Sequence, residues 1–208
     1  MLIEDGYVLA QTAVVLDFET TGLHPEQGDR VTEIAALRVQ GDRIVARFES
    51  LLNCGVRIPH HISKFTGITQ SMVDAAPDAA SAFRQLLQFI GTDAVIAHNA
   101  DFDQGFLESE CRRLGLANHV PDFICSVRIA RRLFPDMKSH ALGCLASHLG
   151  IPFTPGAHRA AVDAAVTTKI LFRSCDILRT RFAVPRVDVR VLRQLAGVQE
   201  NIEIAAAA

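Results

Sequence analysis

The chain carries no C-x-x-C pair, and its five cysteines, Cys54, Cys111, Cys125, Cys144 and Cys175, are odd in number and scattered. That excludes a disulfide framework and a zinc ribbon as the organising device and leaves reduced thiols, mostly packed in a core. No apolar run reaches the length needed to cross a bilayer, which leaves no membrane partner. The opening Met-Leu-Ile-Glu-Asp-Gly puts no basic segment ahead of a long apolar one, so no secretory signal is visible and cytoplasmic residence is expected. Net charge is also scant, at −2, although its distribution is uneven. Residues 1–50 hold nine acids against four bases, whereas Arg173 to Arg193 hold six arginines against Asp176 and Asp188. The second region is either a solvated helix face or a phosphate-binding patch.

At 208 residues and 49% hydrophobic, the chain is long enough to bury one full core and reads most simply as a single domain. Its organising stretch is Val14-Val15-Leu16-Asp17-Phe18-Glu19-Thr20-Thr21-Gly22, an apolar run that ends in two carboxylates and a small-residue turn. Residues two apart on a strand point to the same side, so Asp17 and Glu19 would project together beside the turn that Gly22 permits. Like charges there repel unless a cation lies between them, and hard carboxylate oxygens suit Mg²⁺ or Mn²⁺ rather than Zn²⁺. Acid-x-acid spacing recurs at Asp101/Asp103 and Glu108/Glu110, and the latter pair is assigned to a solvated helix. Position sets Asp17/Glu19 apart, since a buried strand end rarely carries two unpaired acids.

Local signals extend this reading. Val31–Val39 and Ile44–Leu52 read as strands around the turn at Gly41-Asp42, giving the sheet an antiparallel start. His60 and His61 fall in the next loop, followed by short helical pieces over Ile62–Ala75 around Gly67. Asp78 caps a helix closed by Gly91, with Phe83, Leu86, Leu87 and Ile90 inward. Ala94–Ala97 is a short strand ending at His98-Asn99. Asp101 is the expected N-cap of the following helix, which places Asp103 in its first turn, where the helix dipole favours an ionised carboxylate. Phe123–Cys125 reads as a strand and Ser126 as the cap of a helix bearing Arg128, Arg131 and Arg132, a compact basic patch or a solvated face. Ser139 caps the helix before Gly150, and a last long helix runs from about Ala160 to Arg179. Residues five apart on a helix differ by ~140° in direction, so His158 cannot share Asp163's face from within that helix and belongs to the loop before it.

Three segments together resemble one family. Asp17-Phe-Glu-Thr-Thr-Gly22, His98-Asn-Ala-Asp-Phe-Asp103 and His158-Arg-Ala-Ala-Val-Asp163 are similar to the three motifs, in order, of the DnaQ-like DEDD 3′-to-5′ exonucleases of the histidine type. The resemblance implies an α/β, ribonuclease H-like mixed sheet flanked by helices. It places the exonuclease domain over residues 1–182, leaving 183–208 as a C-terminal tail with room for one helix. It implies hydrolysis of phosphodiesters at the 3′ end of DNA to nucleoside 5′-monophosphates, in proofreading or repair, with two Mg²⁺ or Mn²⁺ ions per site. Two such ions would offset four carboxylates, so the net charge does not exclude a polyanionic substrate.

By the same resemblance Asp17, Glu19, Asp103 and Asp163 are the metal ligands, with Asp17 bridging both ions, and His158 is the general base. Thr20, Gly22, Leu23, His98, Asn99 and Phe102 are the expected substrate-binding residues. Leu23 is either a wedge against the last base or simple loop packing, and Phe102 either stacks on a base or belongs to the core. The expected partners are single-stranded or frayed 3′ ends of nucleic acid, DNA favoured, and a polymerase. Two rivals stay open: an exoribonuclease with the same site, and a non-catalytic nucleic-acid binder, which would need no general base.

Overall fold

In the computed structural model of the protein, residues 9–120, 123–153 and 158–197 are described. Five strands form one mixed sheet in the order β3-β2-β1-β4-β5: β1 (Ala13–Thr20), β2 (Val31–Gln40), β3 (Arg43–Leu51), β4 (Ala94–Ala97) and β5 (Ile124–Cys125). The first three pair antiparallel, and β4 and β5 join in parallel. β1 is therefore central, which explains why its run is apolar on both faces. Val14, Leu16 and Phe18 enter one core cluster with α3 (Ala79–Ile90) and α4 (Ala100–Leu114). Ala13 and Val15 enter the other, with α5 (Ser126–Leu133), α6 (Leu142–His148) and α7 (Ala160–Arg181). Strand alternation continues that parity, so Asp17 and Glu19 project toward α7, which packs across β1 and β2.

Between β3 and α3 lie two short helices, α1 (His60–Thr66) and α2 (Gln70–Asp74). His60 and His61 thus form the first turn of α1 and are not loop residues. Asp78 caps α3 as expected, its Oδ1 accepting from the Ser81 amide at 2.9 Å. Asp101 does not cap α4. The N-cap is Asn99, held at φ 64° in the left-handed region that asparagine tolerates better than most side chains. Asp101 instead pairs with Arg128 at 2.9 Å, which occupies one guanidinium of the expected basic patch. Ser126 likewise opens α5 without capping it, because its hydroxyl is engaged by His98 at 3.0 Å. α8 (Val189–Gly197), from the segment set apart as a tail, places Val189, Leu192 and Leu195 in the same core cluster as α7. No described helix is long and apolar enough to cross a membrane.

Candidate active site

The site forms where β1 runs out of partners. β4 pairs only with Ala13–Val15, so the far half of that edge of β1 is open. On the other edge the register with β2 shifts between Glu19 and Thr20, a bulge of the kind that re-aims side chains. The Phe18 amide donates to Asp103 Oδ1 at 3.1 Å, which pulls the first turn of α4 against the strand end. The loop after β1 is shaped by Asp29, which accepts from the Thr21 hydroxyl at 3.1 Å and the His24 amide at 3.0 Å. A Cβ on Gly22 would stand 2.3 Å from Asp29 Oδ2, so a larger residue there would push the Asp29 carboxylate off these two bonds.

From the opposite side α7 brings Asp163. Asp17, Glu19 and Asp163 each offer an oxygen within 4.8 Å of the others, and Asp163 Oδ1 is buried with no hydrogen-bond partner among the described residues. Burial, followed by the charges of Asp103, Asp163, Glu19 and Glu33, holds the Asp17 carboxyl well above the usual carboxylate range. Burial and the charges of Asp163 and Glu33 push Glu19 up to about 8, with Arg159 opposing. Burial also raises Asp163, against the pull of His158. Asp103, expected to stay ionised through the helix dipole, is raised as well: burial outweighs the Phe18 hydrogen bond. Four acids thus resist ionisation as a set, and a divalent cation would supply the missing counter-charge. The donor set, all carboxylate, suits a hard ion.

His158 stands two residues before α7, its Nδ1 4.0 Å from Asp163 Oδ2 and its ring stacked on Phe65 with centroids 3.7 Å apart. His98 lies elsewhere: its Nδ1 meets the Ser126 hydroxyl, and burial, opposed by a backbone hydrogen bond at His140, pushes its imidazole down to about 4. Of the residues expected to bind substrate, Thr20, Gly22, Leu23 and Phe102 line a cleft of about 200 Å³ together with Asp17, Glu19, His158 and Asp163, whereas His98 and Asn99 do not. Thr20 spends its hydroxyl on the Gly22 carbonyl at 2.6 Å, and Leu23 is 70% exposed at the rim. Phe102 is half-buried and tilted against Phe106. A roomier hollow of about 750 Å³ near Arg128 and Arg193 is lined, among the described residues, by one acid, Asp101, already paired with Arg128.

Among the described residues, the buried acids Glu33 and Glu110 escaped the sequence reading. Glu33 on β2 accepts from Arg159 through both oxygens and from the Ala160 amide at 3.0 Å, which pins the start of α7. Its signal was visible: a charge inside the apolar run Val31–Val39. Glu110, assigned to a solvated helix, is 0% exposed; it receives Arg30 at 2.7 Å, Arg113 at 3.3 Å and the Val31 amide. Glu108, its neighbour by two, is the solvent-facing member of that pair.

Comparison with known proteins agrees with this geometry. The RNase_T family model, described as exonuclease, matches residues 14–171. The DNA polymerase III subunit epsilon of Aquifex aeolicus is 31% identical over 177 residues, covering 85% of this chain and 87% of that protein. A DNA polymerase III PolC-type protein of Oceanobacillus iheyensis is 36% identical over 187 residues, but the match spans only 13% of its length. Among solved structures, Exonuclease X in complex with 5′-overhanging duplex DNA superposes with a TM-score of 0.65 at 26% identity, covering 89% of this chain and 99% of that one. The nuclease domain of 3′hExo, a DEDDh family member bound to rAMP, shares the fold at a TM-score of 0.69 and 18% identity, over 84% of this chain and 94% of that one. With three motifs converging on one acidic cleft and a family match that spans most of the sequence, the chain belongs to the DnaQ-like exonuclease family.

Proposed function

We propose that the protein is a 3′-to-5′ exonuclease that removes nucleoside 5′-monophosphates one at a time from the 3′ ends of DNA, in proofreading or repair. The observation that carries this reading is the convergence of Asp17, Glu19 and Asp163 within 4.8 Å of one another, with His158 beside them in an open cleft. Asp17, Glu19 and Asp163 would hold Mg²⁺ or Mn²⁺, and Asp103, buried behind them, would support a second ion through water. Such a pair of ions supplies charge stabilisation for both the attacking and the leaving oxygen of an in-line displacement. His158 takes the proton from the attacking water as its oxygen bonds to phosphorus. The bond from phosphorus to the 3′ oxygen of the preceding nucleotide breaks, and that oxygen leaves with the bonding pair and takes a proton from solvent to become the new 3′ hydroxyl. Thr20, Gly22, Leu23 and Phe102 border the space for the terminal nucleotide, and His98 and Asn99 act from behind by fixing the β4–α4 junction. The nuclease unit spans 1–182, with α8 of the 183–208 segment bracing it.

Action on DNA and a polymerase partner are supported by the relative named DNA polymerase III subunit epsilon, which the chain matches over most of its length, and cytoplasmic residence is proposed with them. The test uses 5′-end-labelled DNA and RNA oligomers of matched sequence with Mg²⁺ or Mn²⁺. Stepwise shortening from the 3′ end with monophosphate release, faster on DNA and stopped by a chelator, is expected. Faster shortening of RNA would reassign the protein as an exoribonuclease, and absence of shortening would leave a nucleic-acid binder.

A further inference from the structure

We propose that Phe65 is a positioning residue for the catalytic histidine, its ring acting as a fixed plate against which the His158 imidazole is held flat beside Asp163. This role rests on the reading of His158 as the general base. Phe65 is 55% exposed and so has little part in the core, yet it touches the cleft and lies parallel to His158, with centroids 3.7 Å apart and planes inclined by 18°. Single exposed apolar side chains are ordinary, so what sets Phe65 apart is its stacking on the His158 ring at the cleft.

The short helix that carries the plate is closed by side-chain hydrogen bonds with its own C-terminal turn. The Thr66 hydroxyl donates to the Ile62 carbonyl at 3.0 Å and accepts from the Ile68 amide at 3.1 Å. The Ser63 hydroxyl donates to the Ile68 carbonyl at 2.7 Å, and Gly67 closes the helix at φ 73°. His158 itself has a firm hold only on one side. Its successor Arg159 is locked to Glu33, but among the described residues the imidazole makes no hydrogen bond, its Nδ1 standing 4.0 Å from Asp163 Oδ2. Rotation about its side-chain bonds is therefore restrained by the Phe65 face. A base that must meet one water in one orientation gains rate from such restraint, because misorientation is removed before the reaction begins.

The test is a double-mutant cycle on the full chain, read as kcat on a DNA oligomer with saturating Mg²⁺. Phe65→Leu keeps the apolar bulk and loses the flat ring, and it is expected to lower kcat by about 2- to 10-fold, the scale of an aromatic pair. Phe65→Tyr is expected to stay within about twofold of wild type by the same measure. In a His158→Ala background Phe65→Leu should change nothing further. An equal loss in both backgrounds would mean that Phe65 acts on the nucleotide directly and would overturn the proposal. A second readout needs no turnover: in the metal-free protein, Phe65→Leu should move the imidazole NMR signals of His158, which sit in the ring current, and leave those of His98 in place. Unmoved His158 signals also overturn it. If His158→Ala itself turned over at the wild-type rate, the reading of the base would fall and this role with it. A slow His158→Ala with additive losses removes the positioning role alone.

Discussion

Two groups of acids among the described residues, one buried and one half-buried in the cleft, are treated in opposite ways. Glu110 and Glu33 are matched: the first receives Arg30, Arg113 and a backbone amide, the second Arg159 and the amide that opens α7. Asp17, Glu19 and Asp163 stand a few ångströms apart with raised pKa values and an orphaned oxygen. Burying a carboxylate without a partner costs several kcal/mol, so a fold tolerates such a group only where something else uses it. The matched acids hold α4 and α7 against the sheet. The unmatched ones wait for a cation, and the matched pairs keep them close enough to share it.

The sharpest way to break this comparison is to remove one acid from each group. Asp17→Ala should bring hydrolysis in Mg²⁺ or Mn²⁺ below detection and weaken metal binding, with thermal stability unchanged or raised because repulsion falls. Near-normal turnover in that variant would end the metal reading. Next in size is His158→Ala, expected to lower kcat by ~10² to 10⁴ with little change in metal affinity. The acid limb of its pH–rate profile should vanish, whereas the limb should survive in His98→Ala, whose ring is committed to Ser126.

On the matched side, Arg30→Ala leaves Glu110 buried and short of its main counter-charge. Denaturant unfolding should show a loss of about 3 to 5 kcal/mol, toward the lower end because Arg113 remains, while turnover per folded molecule persists. A further effect couples the two halves of the comparison through pH. The folded-state pKa of Glu19 is raised from its ordinary 4.5 to about 8, so the folded protein keeps a proton that the unfolded chain has released. Stability of the metal-free protein should therefore decline as pH rises from about 4.5 to 8, and Mn²⁺ should restore it. Thermal melts at several pH values, with and without the ion, would show a metal-induced rise in Tm that grows with pH; a constant rise contradicts the raised pKa. Smallest of all is Glu108→Ala, which should shift stability by no more than ~0.5 kcal/mol and leave activity unchanged, since Glu108 faces solvent and among the described residues only the Gln104 amide donates to it.

The strands β1 and β2, the Asp78-capped α3 and the span of α7 were legible because each depends on short-range signals: alternation, helical spacing and a capping side chain. Caps were less secure where a polar side chain had a better offer elsewhere. Asp101 and Ser126 have the right chemistry for capping, but Arg128 and His98 take them. Nothing within a few residues of either position announces those partners.

The sequence by itself placed Asp17 and Glu19 at a strand end, Asp103 at a helix start and His158 with Asp163 at a loop-to-helix junction, because these are local patterns, and the resemblance of the three motifs to one family is what joined them into a candidate site. Tertiary structure alone decided which acids are neutralised and which are left for a metal, and it set Phe65 against His158. Glu33 finds Arg159 126 residues away, and Glu110 finds Arg30 80 residues away. Charge compensation is a through-space property of a few ångströms, and a chain's order carries no record of it until the sheet and helices close.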